Sequence, residues 1–186
     1  MNTTAYANTV AAELAMSAAG IDEAAAAAFA DAVLRAGREG GVFVAGAGRS
    51  GLMGRAFAMR LVHLGLTAYV VGETVTPGIG PGGLLVIGSG SGSTASLLAM
   101  AARAGELGAS VALVTTKPES PIGASADLLV RLPGAAKDEQ GASTIQPMGA
   151  LFEQGLLLFY DSVVLRLMEL QEQDGRQLYG RHANLE

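Results

Sequence analysis

The sequence predicts an α/β fold, a doubly wound parallel sheet with helices on both faces. Three observations carry the prediction. Short apolar runs alternate with helical stretches from residue 42 to residue 131. The runs ("GLLVIG", "SVALVTT", "DLLVRL") are apolar throughout rather than at every second position, as expected of parallel strands covered on both faces. Two glycine-rich turns, "GAGRSG" and "GSGSGST", each fall between such a run and a helix.

Two helices come first. One is expected over 3–19, with Thr3 or Thr4 as its N-cap and Gly20 as its stop. Asp22 caps the next, which runs to Arg35 and closes at Gly37. Its alanine run, Ala24 to Ala28, suits close packing against another helix. Strands follow near 42–46, 67–71, 84–88, 110–115 and 127–131, helices near 50–64 and 94–107, and a short helical turn after Pro121. A loop, "LPGAAKDEQGASTIQP", then leads to a long helix from Pro147 to Glu169. That helix is apolar almost all round, so it is buried by the sheet, by a partner chain, or by both. A short polar tail, "RQLYGRHANLE", ends the chain. The expectation is one domain over 1–186, with helices over 1–37 at one end and a helix and tail over 147–186 at the other.

Composition narrows the function. Half of the 186 residues are apolar and only 16% are charged, a surface so poor in charge that self-association is the expected outlet. The net charge is −5 and no run of Lys or Arg occurs, which argues against nucleic acid or an anionic membrane as partner. Cysteine is absent, and His63 and His182 are the only imidazoles, so thiolate chemistry and a His-rich metal site are excluded. The N-terminus lacks a basic n-region and carries Glu13 within its apolar stretch, unlike a signal peptide. No window has the uncharged apolar length of a membrane span, and the cytoplasm is the expected address.

Gly46, Gly48 and Gly51 follow the first strand with the spacing G-x-G-x-x-G of a dinucleotide fingerprint. Glu73 stands just past the second strand, where a ribose-binding acid belongs. Two features oppose that reading. The chain ends before a full dinucleotide fold and a substrate region would fit, and a second loop of similar kind follows the third strand. There Ser89, Ser91, Ser93 and Thr94 set hydroxyls among Gly88, Gly90 and Gly92, directly ahead of a helix. Glycines let backbone N–H groups converge, hydroxyls donate further bonds, and the helix N-terminus adds its positive end. Such a loop suits a compact phosphate monoester. No Lys follows the glycines, so it is not a Walker A loop. The bland alternative is a flexible Gly/Ser turn, against which the flanking strand and helix weigh. Both loops lie at the carboxyl edge of the sheet, flanking its switch point, and so favour a phosphorylated small molecule.

Glu153 is the first candidate for chemistry. Apolar residues surround it on its helix, and that helix offers no cation to pair with it. It is either desolvated, pointed into a polar cavity, or exposed as an acid stabilised near a helix N-terminus. Asp161 is a weaker rival, better suited to an intersubunit ion pair, with Arg166 as a candidate partner. His63 ends the helix that the first glycine turn begins; it serves either as a C-terminal cation or as a neutral imidazole moving protons on a sugar. Arg49, within "GAGRSG", has little structural duty and is a phosphate ligand candidate.

Taken together, "GAGRSGLMGRAFAMRLVHLG", "VGETVTPGI", "IGSGSGST", "PMGALFEQ" and "RHANLE" resemble the 6-phospho-3-hexuloisomerase family of sugar isomerase (SIS) domain enzymes over almost the whole chain. The resemblance implies a three-layer sandwich, flavodoxin-like, with a five-stranded parallel sheet. It implies that Ser89, Ser91 and Thr94 hold the sugar phosphate with help from Ser50, beside Gly48 and Arg49. Glu153 falls on the family's proton-transfer carboxylate, and His63 on a residue placed near the sugar, in some members from a neighbouring subunit. The implied reaction interconverts 3-hexulose 6-phosphate and fructose 6-phosphate through an enediol, in formaldehyde assimilation by the ribulose monophosphate pathway. No metal or organic cofactor is expected. The expected partners are a phosphorylated ketohexose, further copies in a homotetramer, and functional coupling to the hexulose-6-phosphate synthase of the preceding step. The alternatives are an aldose–ketose isomerase on another sugar phosphate and a non-catalytic sugar-phosphate-binding module. Ser93, where many SIS loops carry Glu, departs from the family pattern.

Overall fold

Five strands, β1 (Val42–Gly46), β2 (Ala68–Val70), β3 (Leu84–Gly88), β4 (Ser110–Thr115) and β5 (Leu128–Arg131), form one parallel sheet in the order β2-β1-β3-β4-β5. The computed structural model describes residues 1–134 and 144–185. Much of the expected loop before the long helix, 135–143, and Glu186 lie outside the described residues. The order reverses between β1 and β3, which are in register from Val42↔Leu84 to Gly46↔Gly88. Their chain directions carry both glycine turns to the same edge.

Among the described residues six α-helices accompany the sheet, α1 (Thr3–Ala19), α2 (Glu23–Arg38), α3 (Gly48–His63), α4 (Ala95–Glu106), α5 (Ala150–Leu170) and α6 (Gly175–Tyr179), with one 3-10 turn over Gly123–Ser125. Successive side chains of a strand point to opposite faces. Val42, Val44, Val86 and Val114 therefore pack one way, against Phe29 of α2, Phe57 of α3 and Leu156 of α5. Phe43, Leu85, Ile87 and Leu113 pack the other way, against Leu97, Ala101 and Ala104 of α4. Helices cover both faces, giving the expected three-layer sandwich. The all-round apolarity of α5 has its reason here, since Leu151, Phe152, Leu156, Phe159 and Val163 are all buried. No helix among the described residues is long and apolar enough to cross a membrane.

Boundaries shift for local reasons. Asn2, rather than Thr3 or Thr4, caps α1, its side chain accepting from Ala5 N at 2.9 Å. Asp22 caps α2 as expected, accepting from Ala25 N at 2.8 Å. That helix continues through Gly37 to Arg38, because Glu39 N–H still reaches the carbonyls of Arg35 and Ala36. The long helix starts at Ala150 rather than Pro147, since Met148 has a positive φ of 60°. The tail is not wholly irregular: Asp174 and Gln177 form a capping box that starts α6.

Helix α1 is held in an unusual way. Its buried residues are polar, Glu13 and Ser17. Ser17 Oγ donates to Pro133 O. The Glu13 carboxylate accepts from Thr144 Oγ1 at 2.6 Å, Ile145 N at 2.8 Å and Gln146 Nε2 at 3.2 Å. These bonds tie α1 to the chain on either side of 135–143.

Candidate active site

Both glycine turns meet at the carboxyl edge of the sheet. After β1 the backbone folds back on itself so tightly that a Cβ on Gly51 would stand 2.6 Å from Gly46 O. Only glycine permits that approach, and it sets α3 directly beyond the strand end. After β3 the second turn runs to Thr94, the N-cap of α4. Between the turns lies a cavity of about 110 Å³ lined by Ala47, Ser50, Ser89, Ser91, Thr94 and Gly149, among others. Its size suits a phosphate group, with the remainder of a substrate outside it.

Three helices begin at this cavity, α3 after Ala47, α4 after Thr94 and α5 after Gly149, and none of them has a side-chain cap. The helices that begin elsewhere are capped by Asn2, Asp22 and Asp174. The first N–H groups of a helix need partners, and the helix N-terminus carries partial positive charge. Three such ends on one cavity, with hydroxyls beside them, present the donors and positive charge with which an anion could be held.

Most of the residues singled out in the sequence converge here. Ser50, Ser89, Ser91 and Thr94 line the cavity, and Gly48 and Arg49 directly precede Ser50. Glu153, in the first turn of α5 beside the cavity residue Phe152, is only 4% exposed. That overturns the exposed-acid alternative. The expectation that α5 itself offers it no cation holds, but α3 does: Arg49 Nη1 lies 3.1 Å from Glu153 Oε2. The phosphate-ligand candidate and the proton-transfer candidate therefore form an ion pair, each next in sequence to a residue that lines the cavity, Ser50 and Phe152.

His63 does not join them within one chain. It closes α3, fifteen residues beyond Gly48, or roughly 22 Å along the helix axis. It is buried there, and its ring centroid lies 5.3 Å from that of His182. Burial, with the neighbouring charges of Arg60 and His182, lowers its pKa from 6.5. The two imidazoles line a separate cavity of about 420 Å³ together with Arg60, Asp161 and Tyr179. Within the chain, Arg166 pairs with Glu169 on its own helix at 3.0 Å. Glu73 forms an exposed ion pair with Arg55 and lies outside the lining of the cavity between the glycine turns, so it does not serve as a ribose ligand there.

Sequence reasoning missed two contributors. Gly149 brings the third helix N-terminus, which the run "QPMGALFE" signals only weakly because Pro147 looks like the better start. Thr115 and Thr116 both donate to Gly90 O, at 3.0 and 2.8 Å, behind the second turn. Among the described residues no group of three or more His, Asp or Glu side chains is placed to hold a metal ion.

Comparison with known proteins agrees with this fold. Residues 38–157 match the SIS domain family. The chain is 51% identical to the 3-hexulose-6-phosphate isomerase of Bacillus subtilis over 188 residues, covering all of both chains. It is 44% identical to that of Mycobacterium gastri, covering 94% of this chain and 86% of the relative. A Methanococcus jannaschii crystal structure, described as inferring a molecular function of 3-hexulose-6-phosphate isomerase, superposes with a TM-score of 0.84 at 32% identity, covering 96% of this chain and 98% of that one.

Proposed function

This chain belongs to the SIS domain family, and on that premise we propose that it is an isomerase interconverting 3-hexulose 6-phosphate and fructose 6-phosphate. The observation that carries the reading is the cavity on which three uncapped helix N-termini and four hydroxyl side chains converge, with the buried carboxylate of Glu153 beside it.

The phosphate enters the cavity, where Ser50, Ser89, Ser91 and Thr94 and the helix ends bind it. Gly48 allows the backbone to approach, and Arg49 meets the dianion from the exposed side. Anchoring the phosphate lays carbons 2 and 3 of the sugar near Glu153. Its carboxylate takes the proton from carbon 2 of the 3-ketose and the electron pair forms the enediolate; the proton returns to carbon 3 while the hydroxyl proton on the carbon 2 oxygen passes to the carbon 3 oxygen, leaving the carbon 2 carbonyl. Backbone N–H groups at the helix ends oppose the charge that develops on the oxygen.

His63 reaches such a site only from another copy of the chain, so the reading includes a homotetramer with sites at subunit contacts. Exposed apolar side chains support this: Met59 and Val62 near His63 on α3, Leu52 nearer the start of that helix, and Leu165 on α5. The reading places the enzyme in the cytoplasm, in formaldehyde assimilation by the ribulose monophosphate pathway, next to the hexulose-6-phosphate synthase that makes its substrate.

Proton NMR of fructose 6-phosphate with the purified protein in heavy water tests the proposal. Loss of the carbon 3 hydrogen signal, with 3-hexulose 6-phosphate appearing, is the expected result. Exchange at carbon 1 would instead mark an aldose–ketose isomerase, and binding without exchange a sugar-phosphate-binding module.

A further inference from the structure

The second glycine turn is braced from behind by β4. Past the last paired residues of β3 and β4, Ser89 N still donates to Val114 O at 3.0 Å, and the chain then turns toward α4. At the turn, three donors meet the carbonyl of Gly90: Thr116 N at 3.2 Å, Thr115 Oγ1 at 3.0 Å and Thr116 Oγ1 at 2.8 Å. A carbonyl oxygen has two lone pairs, so this one is fully occupied. The Thr115 hydroxyl also accepts from Lys117 N at 3.1 Å, which fixes the direction of its own proton. The same segment closes on the next glycine. Ile122 N donates to Gly92 O at 3.0 Å, and a Cβ on Gly92 would fall 2.0 Å from Ser120 Oγ.

The peptide bond joining Gly90 to Ser91 is planar and trans, so its N–H points opposite to its C=O. The carbonyl points at β4. In the order β2-β1-β3-β4-β5, the far side of β3 from β4 is β1, and between β1 and β3 lies the cavity. Holding the carbonyl toward β4 therefore turns the Ser91 N–H away from β4, the side on which the cavity lies.

From this we infer that Thr115 and Thr116 are positioning residues: their hydroxyls lock the Gly90 carbonyl and thereby aim the Ser91 N–H at the bound phosphate. Neither hydroxyl touches the ligand. The inference rests on the phosphate-site reading above, but not on the isomerase chemistry. Without the two hydroxyls only Thr116 N would hold that carbonyl, and a loop of alternating serine and glycine from Ser89 to Ser93 resists a flip of the peptide plane weakly; a flip would present a carbonyl to the dianion.

The test replaces each hydroxyl by a methyl of nearly the same shape, Thr115→Val and Thr116→Val, with Thr116→Ser as rescue. Isothermal titration with inorganic phosphate reads the loop directly, and steady-state kinetics with fructose 6-phosphate separate KM from kcat. Each Val variant is expected to weaken phosphate binding and raise KM by about five- to tenfold, the effect of one hydrogen bond, with kcat little changed. Thr116→Ser is expected to restore both. Should Thr115→Val fail to fold, Thr116→Val and its Ser rescue decide alone. Unchanged phosphate affinity in Thr116→Val, or failure of Ser to restore it, overturns the inference. If the wild-type protein binds phosphate but turns over no sugar, the isomerase reading fails, and the phosphate titrations still decide this one.

Discussion

Arg49 Nη1 stands 3.1 Å from Glu153 Oε2, joining the first glycine turn to a carboxylate 104 positions further along the chain. The pair is lopsided: the Arg49 side chain is 47% exposed and that of Glu153 only 5%. Under the proposed function, an arriving phosphate dianion would compete for the guanidinium from its open side, where a bidentate contact is available. Phosphate binding and the placement of the carboxylate would then be linked through one side chain.

Glu153→Gln keeps the shape of the side chain and removes its basicity. Turnover of fructose 6-phosphate is expected to fall by about a hundredfold or more, as for loss of a general base. Affinity for inorganic phosphate should persist, because the hydroxyls and helix ends are untouched. Carbon 3 hydrogen exchange near the wild-type rate would remove Glu153 from the proton transfer.

Glu13 predicts a weakness toward acid. Burial raises its pKa, but the bonds from Thr144, Ile145 and Gln146 lower it, and the net direction is below 4.5. A carboxylate whose folded pKa is depressed contributes stability that is fully present above the unfolded value and is lost as pH falls through the folded one. Glu13→Gln removes that linkage. Thermal melts between pH 7 and pH 3 should show the wild type losing more of its melting temperature below pH 4.5 than the variant does. Parallel losses in the two proteins would show that Glu13 is not the group responsible.

The elements that lie flat against the core were legible because burial on both faces writes itself as continuous apolarity. "LLVIG" became β3 over Leu84–Gly88 without adjustment, and "VFVAG" became β1. The two glycine turns were legible as strand-to-helix turns at the carboxyl edge of the sheet because their glycines and serines fall between an apolar run and a helix. The clamp on α1 was not, since Glu13 and Thr144 are 131 residues apart and nothing local marks them as partners. The same holds for Arg49 and Glu153, each of which was singled out for its own surroundings. His63 was placed near the sugar by the family resemblance alone, from the same or a neighbouring subunit, and within one chain the length of α3 carries it to the far end from the first loop. Helix α6 was hidden in a polar tail, although Asp174 and Gln177 spell its capping box.

Tyr160 offers a test of packing near the site. Its ring stacks on Phe57 with centroids 4.3 Å apart and planes 8° from parallel. Its hydroxyl is buried without a hydrogen-bond partner among the described residues, and burial pushes its pKa upward. An unpaired buried hydroxyl costs about 1–3 kcal/mol. Tyr160→Phe keeps the stack and deletes the orphan, so its melting temperature should equal or exceed that of the wild type. A clear drop would mean that the hydroxyl has a partner in the folded protein.

His63 gives the last prediction, and its sign follows from its neighbours. Burial is the main reason its pKa lies below 6.5, with Arg60 and His182 opposing a further positive charge. Asp161 lines the same cavity, and Arg181 Nη1 donates to the His63 carbonyl at 3.2 Å. The folded protein thus holds His63 neutral where the unfolded chain would protonate it, so stability is full above pH 6.5 and declines as pH falls below it. With two histidines in the chain, the imidazole Cε1 protons give two signals that single substitutions assign. In the wild type the His63 midpoint should lie below 6.5, and in His182→Asn it should rise while staying below that value, because burial remains. A wild-type midpoint at or above 6.5 would mean that the ring is solvated or paired with an acid. Association of copies buries the exposed flank of α3 further, so the midpoint should fall again on going from dilute to concentrated protein if His63 sits at a subunit contact.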